Sequence, residues 1–281
     1  MPTYDTPVPI DLAIDLQVGA IQIIATDRAD TLVTVSPTNP AKAADCRGAE
    51  DTKVVFDGAR ITITGPRPRF IWLGPSESID VKVELPTGSR LTAEVSVGGV
   101  RTVGRLGNTR IKSSMGPVDL DSTGDLWLRS SLGNTFVASA DGAIEITADK
   151  GQIRVGTVTG DALLKSSHGS IQIDESGGDV DARLSFGDLE IRRALGSVAT
   201  KTSYGSIQLR EVSGGNIELD SGFGQVSVGV RQGIPVWLDL ASKHGRVRNE
   251  LDGDSAPDAS EQAVAVRART QGGDITIHRA R

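Results

Sequence analysis

A glycine returns about every nine residues through the second half of the chain. It stands at 107, 116, 124, 133, 142, 151, 160, 169, 178, 187, 196, 205, 215, 224 and 233, with one interval of eight and one of ten. After nearly every glycine comes the same phrase: any residue, apolar, any residue, apolar, then a few small or polar ones. Alternating apolarity over so few residues is the mark of a short strand with one buried face. A glycine at fixed spacing punctuates the corner between strands. A short, strictly kept period is the signature of a solenoid.

The repeating unit is twice nine residues, because alternate corners differ. One kind carries a longer side chain just before its glycine: Met115, Leu132, Lys150, His168, Phe186, Tyr204, Phe223 and His244. The other kind carries Asp141, Thr159, Gly177 or Leu195. The spacing therefore predicts coils of about eighteen residues, each with two short strands and two corners, about eight of them between Gly107 and Asp252. The last is irregular, because IPVWLDLASKHG brings inserted residues and Pro235. One unit cannot bury Ile144 and Ile146 against Ile153 and Val155, whereas stacked units can. Each large aliphatic contributes about 1.5–3 kcal/mol when buried. The coils should stack in parallel, and the crossover rule favours a right-handed path. Ser114, Ser131, Ser167, Ser185 and Ser203 are expected to turn inward at a corner where space is short.

Upstream of the repeat the chain alternates without the nine-residue beat. Expected strands are Ile10–Leu16, Ala20–Ala25, Leu32–Ser36, Thr52–Phe56, Arg60–Thr64, Ile79–Leu85 and Leu91–Val97. Pro37–Glu50 is expected as a polar loop. A second loop, PRPRFIWLGP at Pro66–Pro75, is a poor strand candidate because prolines punctuate it. Residues 1–97 thus form a β-rich amino-terminal cap, 98–252 the solenoid, and 253–281 a polar linker followed by closing strands. In the last part Val264, Val266, Ile275 and Ile277 alternate around Gly272–Gly273 as a final coil or capping hairpin, since an open edge invites aggregation.

Composition narrows the function classes. Aromatics are only 4% of residues, so the core is aliphatic, and 33 glycines supply the corners. The net charge of −6 argues against non-specific binding to nucleic acid or anionic lipid. A single cysteine, Cys46, excludes an internal disulfide framework and a cysteine-based zinc site. The start, MPTYDTPVPIDLAID, lacks a basic and then apolar leader, and no stretch approaches the roughly 20 apolar residues of a membrane span. The expected location is the cytoplasm, with a cell-surface location as the alternative.

The order of features also resembles a known bacterial family. An alternating β-region leads to I-D-V-K-V-E-L-P-T-G-S-R-L at Ile79–Leu91, then to the glycine repeats, then to T-x-G-G-D-I-T-I at Thr270–Ile277. The arrangement is similar to the domain-of-unknown-function family of β-strand-repeat proteins labelled "putative adhesin". That resemblance covers nearly the whole chain. It implies the repeat fold and brings no catalytic residues.

Each chemical reading is weighed against a plainer one. A calcium-loaded roll needs paired glycines and an aspartate in every turn. The turns here read SSLGN, ADKGQ, SSHGS and TSYGS, so no metal site is expected. His168 and His244 share a corner column with Phe186, Tyr204 and Phe223 between them, too far apart for one metal, and His278 stands elsewhere. Glycoside hydrolysis would need two convergent carboxylates about 5–9.5 Å apart. Asp179, Asp181, Asp188 and Glu190 alternate with Arg183 and Arg192, as a salt-bridged face does.

Two features are candidate interaction surfaces. Lys165, Arg183 and Lys201 fall in one outward column, with Asp161, Asp179 and Asp181 near enough to neutralise it. Phe70, Ile71, Trp72 and Leu73 stand together in the proline-bounded loop, where they would fold over the solenoid end as a cap, and Trp127 and Phe136 face solvent in adjacent half-coils. The expectation is an all-β, non-enzymatic β-solenoid scaffold or interaction module without cofactor. Its partner would be another macromolecule, most simply a protein, with a homo-oligomer or filament where the ends are poorly capped. The alternatives are a surface adhesin and, further off, a carbohydrate-active β-helix enzyme.

Overall fold

The computed structural model describes residues 2–67, 77–251 and 263–280. Among the described residues the protein is all-β apart from one short helix, and its strands form parallel coils in two compact units, 1–139 and 140–281.

The first unit holds β1 (Thr3–Asp5), β2 (Asp11–Val18), β3 (Ile21–Thr26), β4 (Asp30–Pro37), helix α1 (Ala43–Asp51), β5 (Lys53–Phe56), β6 (Arg60–Thr64) and β7 (Ile79–Pro86). It continues with β8 (Arg90–Val97), β9 (Val100–Val103), β10 (Thr109–Met115), β11 (Val118–Thr123), β12 (Leu126–Leu132) and β13 (Thr135–Ala140). One sheet runs β1-β4-β7-β3-β9-β11-β13 and the other β5-β6-β2-β8-β10-β12. Coil geometry therefore starts well before the nine-residue beat: β2 pairs in parallel with both β6 and β8, and β3 with both β7 and β9. The first coil in the chain thus lies between two later ones. β1 pairs antiparallel with β4, β4 with β7, and β5 with β6, at the outer side of each sheet.

The expected loop at Pro37–Glu50 is in fact where α1 forms, which is a correction to the sequence-based reading. Ala43, Ala44, Arg47, Ala49 and Glu50 are good helix formers, but Gly48 weakens the helix and no side chain caps its start. Tertiary contacts hold it instead. The Asp45 carboxylate is 3% exposed, accepts from the amides of Ser78 (3.0 Å) and Asn39 (3.3 Å), and pairs with Lys42 at 3.0 Å. Cys46 is half-buried, its thiol 3.3 Å from the Pro40 carbonyl.

The second unit holds β14 (Ile144–Lys150), β15 (Ile153–Val158), β16 (Ala162–His168), β17 (Ile171–Ser176), β18 (Val180–Phe186), β19 (Leu189–Ala194) and β20 (Val198–Tyr204). It ends with β21 (Ile207–Val212), β22 (Asn216–Phe223), β23 (Val226–Val230), β24 (Val236–His244), β25 (Val247–Asn249), β26 (Val264–Gly272) and β27 (Ile275–Arg279). The eighteen-residue coil is explicit in the register: Ile144 pairs with Ala162, Ala162 with Val180, and Val180 with Val198. Ile144, Ile146, Ile153 and Val155 are all buried, as the alternation predicts. The ten-residue glycine interval makes one coil a residue longer, so that Val198 pairs with Ile217.

The closing strands do not end the stack. β26 lies between β22 and β24, and β27 between β23 and β25. The last coil in the chain is thus an inner one, and the expected terminal cap is corrected to an inserted coil. Both backbone edges of β26 and β27 are hydrogen-bonded, which protects a chain end that would otherwise fray. The outer coil, β24/β25, leaves Val236, Leu238 and Leu240 half-buried where the matching residues of inner coils are buried.

The two kinds of corner use glycine for two reasons. Gly187 has φ +140°, and a Cβ there would lie 2.3 Å from the carbonyl oxygen of Gly169 one coil away. At the opposite corner Gly196 has no such φ, yet a Cβ would come within 2.6 Å of the Gly178 oxygen. One corner demands a left-handed backbone, the other only close approach.

The serines expected to point inward do not. Strand alternation buries the preceding residue: Ser113, Ser130, Ser166 and Thr202 are buried, while Ser114, Ser185 and Ser203 are exposed and Ser131 and Ser167 are half-exposed. Some of the inward hydroxyls serve the corner carbonyls, whereas those of Ser113, Ser130 and Thr202 make no hydrogen bond among the described residues. Ser166 donates to Gly169 O at 3.1 Å, Ser221 to Gly205 O at 3.2 Å and Thr270 to Gly224 O at 3.3 Å.

Candidate interaction surface

The residue just before the left-handed glycine that follows each of β10, β12, β14, β16, β18, β20 and β22 is exposed at the corner, where the inward alternation of the strand ends. Along β16, β18, β20 and β22 this residue is His168, Phe186, Tyr204 and Phe223, and the register sets each directly beside the next. Their ring centroids are 5.0, 5.2 and 5.2 Å apart, with interplanar angles of 13°, 3° and 13°. The spacing follows from the strand separation of about 4.8 Å. Phe186, Tyr204 and Phe223 are 47%, 51% and 51% exposed. Because the rings cover one another's faces, the ladder shows solvent a row of ring edges. Lys150 adjoins it at His168, and Gly272 at Phe223. His244, in the same column by sequence, is a further strand away because β26 intervenes.

A cationic column runs along the same strands. Lys165 pairs in register with Arg183, and Arg183 with Lys201. The expected neutralisation is corrected in part. Asp181 does pair with Arg183, at 2.9 Å. Asp161 and Asp179 instead accept from backbone amides one coil on, of Asp179 (3.0 Å) and Ser197 (2.8 Å). Among the described residues, no carboxylate lies within 4.0 Å of Lys165 or Lys201. Between the cations and the rings stand the outward residues Ser167, Ser185 and Ser203. Three stripes therefore share one face: ammonium and guanidinium, hydroxyl, and aromatic.

The other candidates are not brought together. Trp127 on β12 and Phe136 on β13 belong to opposite sheets and form no common patch. Trp127 is half-buried rather than freely exposed, because the Arg110 guanidinium lies 3.6 Å from its ring centroid. Phe136 is 39% exposed. Phe70, Ile71, Trp72 and Leu73 lie outside the described residues. The ladder itself was visible in the sequence as a column of long side chains. Its stacking was not, because only the register tells which rings meet.

The carboxylates considered for glycoside chemistry are each engaged. Asp188 accepts from the Ser206 amide at 2.7 Å, and Glu190 pairs with Arg210 at 2.5 Å. On the sheet opposite the ladder, a shallow groove of about 340 Å³ is lined by Arg154, Asp174, Glu190, Arg192 and Arg210. Its charges alternate, with Arg192 4.0 Å from Asp174. Shifted acids lie in the first unit. Lys82 and then Arg28, both hydrogen-bonded to Glu84, hold its carboxyl below the usual range. Lys42 and the Ser78 and Asn39 amides do the same for Asp45 against the opposing effect of burial. These groups tie strands and helix together. No helix among the described residues is long and apolar enough to cross a membrane.

Comparison with solved structures finds similarity at low identity. The crystal structure of a "putative cell adhesion protein" from Clostridium sporogenes is similar at 12% identity, covering 98% of this chain and 94% of that one, with a TM-score of 0.24. A "putative adhesin" from Parabacteroides distasonis is similar at 14% identity, covering 98% and 95%, with a TM-score of 0.31. One from Bacteroides fragilis is similar at 11% identity, covering 98% and 95%, with a TM-score of 0.25. No curated protein matches the sequence. The match to the Toastrack DUF4097 family spans residues 10–280. The chain belongs to that family, a β-solenoid domain of unknown function.

Proposed function

We propose that the protein is a non-catalytic interaction scaffold that presents the aromatic ladder and the stripes beside it to another macromolecule. The observation that carries this reading is the exposed stack His168–Phe186–Tyr204–Phe223. In a chain so poor in aromatics, four consecutive coils place a ring at the same outward corner. Clustered, rigid aromatic side chains in the open are typical of contact surfaces. The core has no use for them, since aliphatics fill it.

Purification of the native protein, followed by mass spectrometry and carbohydrate analysis of what accompanies it, tests the proposal. Wild type should carry a partner that a folded Phe186→Ala/Tyr204→Ala variant loses. Retention of the same partner by that variant would sink the assignment to the ladder. Cell fractionation in the same experiment separates the intracellular scaffold from a surface adhesin.

A further inference from the structure

We infer that the ladder face binds an acidic linear polysaccharide laid along the coil axis. The inference rests on the interaction-scaffold reading and names the chemistry of its partner.

The first ground is charge. Lys165, Arg183 and Lys201 form a column of cations at successive coils. Lys165 and Lys201 have no carboxylate within 4.0 Å among the described residues, and Asp161 and Asp179 are committed to backbone amides. Like charges about 4.8 Å apart repel. Asp181 relieves that repulsion at Arg183. Asp220 stands beside Lys201 in register without closing to a salt bridge, so an added anionic chain would still find Lys165 and Lys201 uncommitted.

The second ground is the order of the stripes. A cation, a hydroxyl and a ring edge recur side by side on β16 (Lys165, Ser167, His168), β18 (Arg183, Ser185, Phe186) and β20 (Lys201, Ser203, Tyr204). A uronic acid ring carries the complementary set across its width: carboxylate, hydroxyls, and apolar C–H groups.

The third ground is what the geometry disfavours. Single-stranded nucleic acid is held by stacking bases on free aromatic faces. Here the interior rings are covered on both faces by their neighbours, 5.0–5.2 Å away.

Affinity electrophoresis of the full chain through native gels containing polygalacturonate tests the assignment. Gels with neutral dextran, poly-L-glutamate or oligo(dT) serve as comparisons. Polygalacturonate should retard the wild type at least tenfold more strongly than any of the three. Lys165→Glu/Lys201→Glu should lose at least tenfold in affinity. Arg154→Glu/Arg192→Glu, an equal charge change on the opposite sheet, should stay within twofold. Circular dichroism establishes that each variant is folded.

Absence of retardation by polygalacturonate overturns the inference. So does equal retardation by poly-L-glutamate or oligo(dT), or indifference to Lys165→Glu/Lys201→Glu. A non-saccharide partner that depends on Phe186 and Tyr204 would leave the scaffold reading standing and remove the polysaccharide.

Discussion

The rings of Phe186 and Tyr204 lie 5.2 Å apart and 3° from parallel, although eighteen residues separate them in the chain. One solenoid coil closes that distance, and both rings stand exposed at the corner, where the inward alternation of the strand ends. The stack is therefore a by-product of coil geometry that the sequence has filled with aromatics.

Replacing Tyr204 tests what the stack contributes. An aromatic pair adds about 0.5–1.5 kcal/mol beyond area burial. Tyr204→Ala removes two such pairs and should cost about 1–3 kcal/mol in denaturant unfolding. Tyr204→Phe should be neutral within about 0.5 kcal/mol. A larger loss in Tyr204→Phe would mean that the hydroxyl, not the ring, matters.

The glycines separate strain from collision. Gly205 has φ +152°, and a Cβ would lie 2.0 Å from the Gly187 oxygen. Gly205→Ala should cost about 3 kcal/mol or more, because backbone strain and an immovable neighbour add. Gly233 has φ +78° with nothing within 4 Å of an added Cβ. Gly233→Ala should cost only the strain, about 1–2 kcal/mol. Equal losses in urea titration would refute the distinction.

Asp45 predicts a pH dependence. Its folded carboxyl is held below the ordinary value by Lys42 and two backbone amides. A depressed folded pKa stabilises the protein above the unfolded value of about 3.9, and that stability is lost as pH falls through the folded pKa. Asp45→Asn should therefore lower Tm at pH 7. The gap from wild type should narrow as the pH is taken below about 4. A gap that stays constant with pH would assign the effect to packing rather than to charge.

Truncation distinguishes an inserted coil from a terminal cap. Removal of residues 263–281 takes away β26 and β27, the strands on which β24 and β25 pair. Hydrogen exchange should then show β24 and β25 unprotected as well. Continued protection of β24 would mean that it can pair directly with β22.

Arg110 and Trp127 form a local pair on the face of β10 and β12. A double-mutant cycle with Arg110→Ala and Trp127→Leu should return a coupling of about 0.5–1 kcal/mol. Zero coupling would show that the guanidinium only rests on the ring.

Much of this molecule is written locally. The alternation of Ile144, Ile146, Ile153 and Val155 and the glycine beat determine strands, corners and the eighteen-residue coil, because inward direction and corner space depend on near neighbours alone. The inward hydroxyl is Ser166 rather than the expected Ser167, because the alternation of Ala162 and Leu164 runs on unbroken to Ser166 before the corner begins. Other features depend on partners far along the chain. Whether β26 stacks outside β24 or between it and β22 is invisible to periodicity, since every coil offers similar edges. Helix α1 forms where the sequence suggested a loop, because Asp45 finds amides in residues 33 and 6 positions away. The sequence by itself determined that a solenoid coil exists and which residues face its core. Only the tertiary structure decided which coils are neighbours, and hence which rings and charges meet, because strand pairing joins edges far apart in the chain that no local pattern tells apart.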